Sequence, residues 1–267
     1  MKFRKIGSRG LLFPFTDPFP TNVYVIIGHE RIYVLDTFLG SESMALVKEG
    51  LESEGHEGKP IVVFNSHGDF DHYWGNSAFE GALIIGHEEC RTRILAESDE
   101  ALLVNKERKK GEVVVRAPSL VFENRLSFPD DGLTFFHTPG HTIDSSSCYD
   151  ETDRILFVGD NVESPLPYVY NTNVVQYIET LKSYLDLDWD VMIASHDPPL
   201  HDKTLLEKNI KYLTDLQSWK IDIASLTEGE LHQHINNIKY LEDNINDSQL
   251  TKEARQHFDD MKKVEHH

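Results

Sequence analysis

Hydrophobic positions along this chain switch between two periods. Residues 22–27 (Asn22-Val23-Tyr24-Val25-Ile26-Ile27) and 31–35 (Arg31-Ile32-Tyr33-Val34-Leu35) are short runs rich in β-branched and aromatic side chains. The turn between them contains Gly28, so the pair predicts a β-hairpin. Between 41 and 54 the apolar residues Met44, Val47 and Leu51 recur at helical spacing, and Pro60 then precedes a new apolar run at 61–64. This is a strand-helix-strand unit. The alternation continues with a strand at 83–85 and a helix at 87–97, then with strands at 133–137, 155–158 and 191–194. Residues 99–118, which include Lys106-Glu107-Arg108-Lys109-Lys110, have no clear period. They predict a surface excursion, read first as a solvated charge run and second as a cover over a site. Beyond residue 200, Leu205, Leu206, Ile210, Leu213 and Leu216 keep helical spacing, with Trp219 one turn on. Thr227 and Glu230 then form a capping-box pattern ahead of Leu231, Ile235 and Ile238. Neither a repeat nor a low-complexity linker interrupts the chain, which predicts one α/β domain over 1–200 with the helices of 201–265 packed on it as part of the same domain.

The predicted strands share a polar ending. Asp36 closes the run 31–35, and His67-Gly68-Asp69-Phe70-Asp71-His72 follows the run 61–64. Thr138-Pro139-Gly140-His141-Thr142 follows 133–137, Gly159-Asp160 follows 155–158, and Ser195-His196-Asp197 follows 191–194. Open α/β sheets bind ligands at the carboxyl ends of their strands. In the hexapeptide, extended backbone sends residues 67, 69 and 71 to one side, and the next turn brings in His72. Four potential metal ligands within six positions point to a metal cluster. Any one such residue is more often a turn or cap residue than a ligand. Five strand ends of this kind in one chain argue against coincidence.

Composition narrows the partners. The 267 residues hold 26 Lys and Arg against 45 Asp and Glu, a formal charge of -19. Such a field repels polyanions, so nucleic acid is excluded as a partner and a small-molecule substrate is expected. The opening apolar stretch is broken by proline and is too short for a signal h-region or a membrane span, which predicts a cytoplasmic location and no membrane partner. Cys90 and Cys148 are too few and too far apart for a disulfide framework, and both are read as buried thiols in a reducing compartment. The closing Val264-Glu265-His266-His267 has the look of a tag remnant, so His266 and His267 carry no argument.

The ordered series resembles the metallo-β-lactamase-fold superfamily: an aspartate after the second strand, a His-x-His-x-Asp-His motif, a Pro-Gly-His, a Gly-Asp and a late histidine. The likeness covers about residues 20–200, and Leu35-Asp36-Thr37, Pro139-Gly140-His141-Thr142 and Gly159-Asp160 match it in wording as well as place. It implies a four-layer αββα sandwich with a C-terminal helical extension. It also implies a binuclear site of two divalent metal ions, one held by His67, Asp69 and His141 and the other by Asp71, His72 and His196, with Asp160 bridging. Asp36 would orient the ligands from behind. The activity implied is that of a metal-dependent hydrolase, as in the glyoxalase II-like branch. A metal-bridging hydroxide would cleave a small ester, thioester, lactone or related electrophile, with Asp71 as the catalytic carboxylate that orients it.

One position departs from the pattern, because Asp69 stands where the second histidine belongs. A carboxylate still ligates, but it makes the cluster less positive, raises the pKa of bound water and shifts preference from zinc toward iron or manganese. Zinc remains the first expectation. A non-haem iron oxidoreductase of the same fold stays open as an alternative, as does a metal-binding sensory domain without catalysis. Against the former, the residues after His196 show no flavodoxin-like strand alternation. The aromatic run Pro165-Leu166-Pro167-Tyr168-Val169-Tyr170 either lines a pocket or packs its tyrosines inward. His87 and His137 are read as structural, His201 as a neighbour of the site, and His232 and His234 as surface residues. A homo-oligomer is left open.

Overall fold

Strands whose residues are apolar on both sides must be covered on both faces, and the structure shows how. A computed structural model describes residues 3–56, 58–246 and 251–265, except for the side chains of 263–265, and His266 and His267 lie outside the described residues. In chain order the elements are β1 (Arg4–Ile6), β2 (Gly10–Phe15), β3 (Thr21–Ile27), β4 (Ile32–Leu35), α1 (Ser41–Ser53), β5 (Ile61–Asn65), α2 (Phe70–Tyr73), β6 (Leu83–His87), α3 (Glu88–Val104) and β7 (Leu120–Phe122). There follow β8 (Arg125–Phe128), β9 (Leu133–His137), β10 (Ser146–Asp150), β11 (Ile155–Gly159), α4 (Val174–Asp186), β12 (Val191–Ala194), α5 (Thr204–Gln217), α6 (Glu228–Asn244) and α7 (Lys252–Glu265). None of the described helices is long and apolar enough to cross a membrane. The chain forms two compact units, one comprising Met1–Thr138, Asp144–Gly159 and Trp189–His201, the other Pro139–Ile143, Asp160–Asp188 and Asp202–His267.

The first unit holds both sheets. One has seven strands in the order β1 to β7, antiparallel from β1 to β4 and parallel from β4 to β7. The other runs β12-β11-β10-β9-β8, with only the β11–β12 pair parallel. Strand alternation sorts the side chains into two cores. Val23, Val25, Val34 and Val63 pack with Met44, Val47 and Leu51 of α1 and with Cys90 and Ile94 of α3. The intervening Tyr24, Ile26, Tyr33, Leu35, Val62 and Phe64 pack against Phe135, Phe157 and Ile193 of the second sheet. Phe64 and Phe135 meet there at 4.8 Å between ring centroids. This two-sided packing pins β4, β5, β9, β11 and β12, whose carboxyl ends carry the polar residues.

Three regions differ from the pattern-based expectation. Residues 4–15 form β1 and β2, and Leu11, Leu12 and Phe13 are core residues paired against β3. Helix α3 runs on to Val104, so only the later part of 99–118 is irregular. Strand β10 is written in serines, a weak strand signal, yet Ser146 and Ser147 are fully buried between β9 and β11. Cys90 and Cys148 are buried free thiols, as expected.

The second unit holds α4 to α7, the segment 160–173 and the turn Pro139–Ile143. The predicted capping box is present, since the Thr227 hydroxyl accepts from the Glu230 N–H and the Glu230 carboxylate accepts from the Thr227 N–H. Buried amides of α5 and α6 tie down the segment before α4. Asn209 accepts from Glu163 N–H and donates to Glu163 C=O. Gln233 accepts from Leu166 N–H, and Asn237 accepts from Val169 N–H while donating to Pro167 C=O. The aromatic loop is therefore held by its backbone. His232 is exposed as expected, but His234 is fully buried. Its Nδ1 is 2.9 Å from Tyr212 Oη and its Nε2 is 2.9 Å from His257 Nε2, so helix-to-helix packing overrides a placement made from spacing alone.

Candidate metal centre

The turn after β4 begins with a left-handed residue. Asp36 has φ 59°, a conformation that costs aspartate less than most side chains, and it brings the carboxylate under the hexapeptide. Asp36 Oδ1 accepts from Ser66 N–H at 2.8 Å, and Oδ2 accepts from the Ser66 hydroxyl at 2.7 Å and from His72 Nδ1 at 2.8 Å. Asn65 and Asn76 pin the same turn from behind, with Asn65 donating to His72 C=O and Asn76 donating to Asn65 Oδ1. Gly159, with φ 57°, comes so close that an added Cβ would lie 2.9 Å from Ser66 Oγ. Only glycine fits in that place, directly before Asp160.

Hydrogen bonding fixes the tautomer of each candidate histidine. His72 Nδ1 faces a carboxylate, and His196 Nδ1 lies 2.7 Å from Pro20 C=O, so both must carry the proton there. The Ser66 hydroxyl already donates to Asp36 and can accept from His67 Nδ1, 3.0 Å away. In the second unit, His141 Nδ1 lies 3.2 Å from Tyr168 C=O. Each imidazole therefore turns the lone pair of Nε2 to the other side. Each Nε2 meets a carboxylate oxygen: His67 meets Asp69 at 3.4 Å, His72 meets Asp71 at 3.7 Å, His196 meets Asp71 at 3.6 Å, and His141 meets Asp160 at 3.9 Å. A lone pair facing a carboxylate is repulsive without a cation between them. Two donors about 2.0–2.1 Å from a tetrahedral ion stand about 3.4 Å apart, close to these spacings. In the first unit, Asp71, His72 and His196 offer ligand atoms that all lie within 4.8 Å of one another. The donor set fits a divalent metal.

Asp69 has a partner that its sequence position does not reveal. Arg93 of α3 reaches Asp69 Oδ1 with Nη2 at 2.7 Å and Asp144 Oδ1 with Nη1 at 2.5 Å. Asp144 Oδ2 also accepts from Gly68 N–H at 2.7 Å. Burial opposes the guanidinium charge, but Asp69 and Asp144 more than offset it and raise the Arg93 pKa further. Asp69 is thus a charge-compensated carboxylate that can offer Oδ2 to a metal, and the loss of positive charge expected from the His-to-Asp departure is countered locally.

Sequence reasoning missed several supporting groups. Ser66, Arg93 and Asp144 act within the first unit, and in the second the buried Glu163 lies 3.9 Å from His141 Nδ1 and accepts from Tyr168 N–H. The spacing Asp160-x-x-Glu163 was the only available signal among them. Tyr170 packs its ring edgewise on His141 at 5.1 Å and stacks on Tyr168 at 5.9 Å between centroids. His87 is structural, accepting the Glu89 N–H at the start of α3 and stacking on His137 at 3.7 Å. His201 is exposed.

A left-handed aspartate lies behind the hexapeptide and the candidate imidazoles are anchored at Nδ1, and the chain belongs to the metallo-β-lactamase superfamily, whose sequence profile matches residues 16–196. Solved structures agree on the fold. The metallo-β-lactamase from Hirschia baltica superposes with a TM-score of 0.62 at 15% identity, covering 80% of this chain and 97% of that one. The metallo-β-lactamase from Pontibacter korlensis gives 0.61 at 20% identity, covering 80% and 99%. Among curated proteins, the acyl-coenzyme A thioesterase MBLAC2 of Gallus gallus is 26% identical over 190 residues, 62% of this chain and 67% of that protein. Family and relative together support a metal-dependent hydrolase at the general level.

Proposed function

We propose that the chain is a metal-dependent hydrolase of small acyl compounds, with thioesters as the leading substrate class. The supporting observation is the shared arrangement of His67, His72, His141 and His196, each held at Nδ1 and each turning Nε2 toward a carboxylate. In this reading His67, Asp69 and His141 would hold one ion, Asp71, His72 and His196 would hold the other, and Asp160 would serve as a further carboxylate ligand. Zinc is the first candidate for both. When bound, the ions acidify a water and polarise the substrate carbonyl. The chain's own residues do the rest. Asp71, with one oxygen toward each of two imidazoles, is fixed in orientation and aligns the attacking water. Asp36 holds His72 directly and His67 through Ser66, so that neither ring can flip its tautomer. Arg93 pairs with Oδ1 of Asp69 and leaves Oδ2 to face His67. Water adds to the acyl carbon, the carbon–sulfur bond breaks, and the products are a carboxylic acid and a thiol, with the proton of the water passing to the leaving sulfur.

The thioester assignment takes its support from the relative named above, and the substituted ligand position keeps iron chemistry as the alternative outcome. Metal-loaded protein incubated with a panel of thioesters, esters and lactones tests the reading. Thioester cleavage that stops with chelator and returns with metal is the expected result. With both ions bound, an inert panel together with thiol-dependent oxygen uptake would replace the hydrolase with an oxidoreductase.

A further inference from the structure

The charge run after α3 places one cation on the rim of the metal centre. Lys106–Arg108 form a single 3-10 turn, and the exposed Arg108 guanidinium lies over two rings at once, 5.6 Å from the Phe19 centroid and 5.7 Å from the Phe70 centroid. Both rings adjoin candidate ligands. Phe19 meets the His196 ring edgewise at 5.8 Å, and Phe70 stands in the chain between Asp69 and Asp71. The segment is therefore not a free solvated run at this point.

Arg108 differs from Lys106 and Lys110 in lacking an ion pair among the described residues, and from Lys109 in lying over aromatic rings. Lys110 pairs with Asp17 at 2.5 Å, Lys106 approaches Glu107 at 3.9 Å, and Arg93 is shared among Asp69, Asp144 and Glu97. Among the described residues, no carboxylate lies within ion-pair distance of Arg108. A guanidinium stacked on aromatic faces is held in orientation, while its N–H groups project in its own plane as a fork that fits carboxylate or phosphate. In a chain of charge -19, an anionic substrate is repelled at long range and needs a local cation where it docks.

We propose that Arg108 is the docking point for an oxyanion of the substrate, so that the site selects anionic acyl compounds over neutral ones. This rests on the hydrolase reading and adds the charge of the substrate to it. The oxyanion is either a phosphate of the leaving thiol or a carboxylate on the acyl group, and matched probes separate the two. Kinetics would be measured on acetyl-coenzyme A, on the neutral N-acetylcysteamine thioester of acetate, and on the N-acetylcysteamine monothioester of succinate. Arg108→Ala should raise KM about tenfold for whichever anionic probe uses the fork, the loss of one charge-assisted hydrogen-bonded contact, while kcat stays within twofold and the neutral thioester is unaffected. Arg108→Lys should recover only part of the loss, and metal content should equal that of the parent chain. The same KM change for neutral and anionic probes, or none for either, overturns the proposal. If no thioester is cleaved, the hydrolase reading falls, and calorimetric binding of free coenzyme A and of succinate still decides this point. Binding that Arg108→Ala weakens upholds the docking role, and binding that is absent or unchanged refutes it.

Discussion

Two groups of histidines in this molecule look alike by composition and differ in what surrounds them. In the first unit, His67, His72 and His196 each have Nδ1 held by an oxygen and Nε2 turned to Asp69 or Asp71. In the second, His234 and His257 turn Nε2 atoms toward each other at 2.9 Å, and among the described residues neither has a carboxylate within ion-pair distance. The first group is built to take a cation between its rings and its carboxylates. The second favours neutrality, because one ring must donate to the other and a second proton between them would set two N–H donors face to face beside a new charge. Burial lowers the His234 pKa to about 3, with His257 adding to the shift, and burial lowers that of His257 as well. A histidine cluster becomes a ligand set through its carboxylates and its Nδ1 anchors.

The contrast can be broken most strongly at Asp36. Asp36→Ala frees the tautomers of His72 and His67, and metal affinity should fall about 10–100-fold in a competition titration with a chromophoric chelator. Unchanged affinity would mean that the rings are held without it. Next in size is Arg93→Gln, which leaves the half-buried Asp69 and the fully buried Asp144 without their shared cation. The thermal or denaturant unfolding of the metal-free chain should show a loss of about 3 kcal/mol, smaller in the double variant with Asp69→Asn. Additive losses would remove the pair from the account.

The second cluster sharpens the comparison through pH. A histidine with its folded pKa held below the unfolded value near 6.5 contributes stability in full above that value, and the contribution is lost as pH falls toward the folded pKa. Between pH 7 and pH 5 the loss through His234 should be about 2 kcal/mol. Denaturation curves of the metal-free chain at the two pH values should therefore diverge more for the parent than for His234→Asn. Equal divergence would show that His234 does not stay neutral. The smallest effect is expected at the cap of α6, where Thr227→Ala should cost about 1 kcal/mol and leave metal binding untouched, as read by melting temperature and metal content together.

The strand ends were legible in the sequence because the chemistry sits at fixed offsets from apolar runs, so period and position could be read together. Asp36, His67, His141, Asp160 and His196 each follow such a run directly. Arg93 was not legible, since it reaches Asp69 from a helix face 24 residues away and nothing local marks it. His234 was misplaced for the same reason, as its burial depends on Tyr212 and His257 on other helices. The opening strands were hidden because their apolar stretch is short and interrupted by proline, and β10 by its serines. What local pattern conveys is where a side chain leaves the backbone. Which distant group meets it follows only from packing.

The central claim is that these histidines and aspartates are metal ligands, and a metal titration of the chelator-stripped chain tests it directly. Titrating zinc into the parent chain and into His72→Ala, with bound metal counted by mass spectrometry, should give two ions per parent chain and one per variant. A parent chain that binds none, or a variant that holds two with the parent's affinity, would contradict the account.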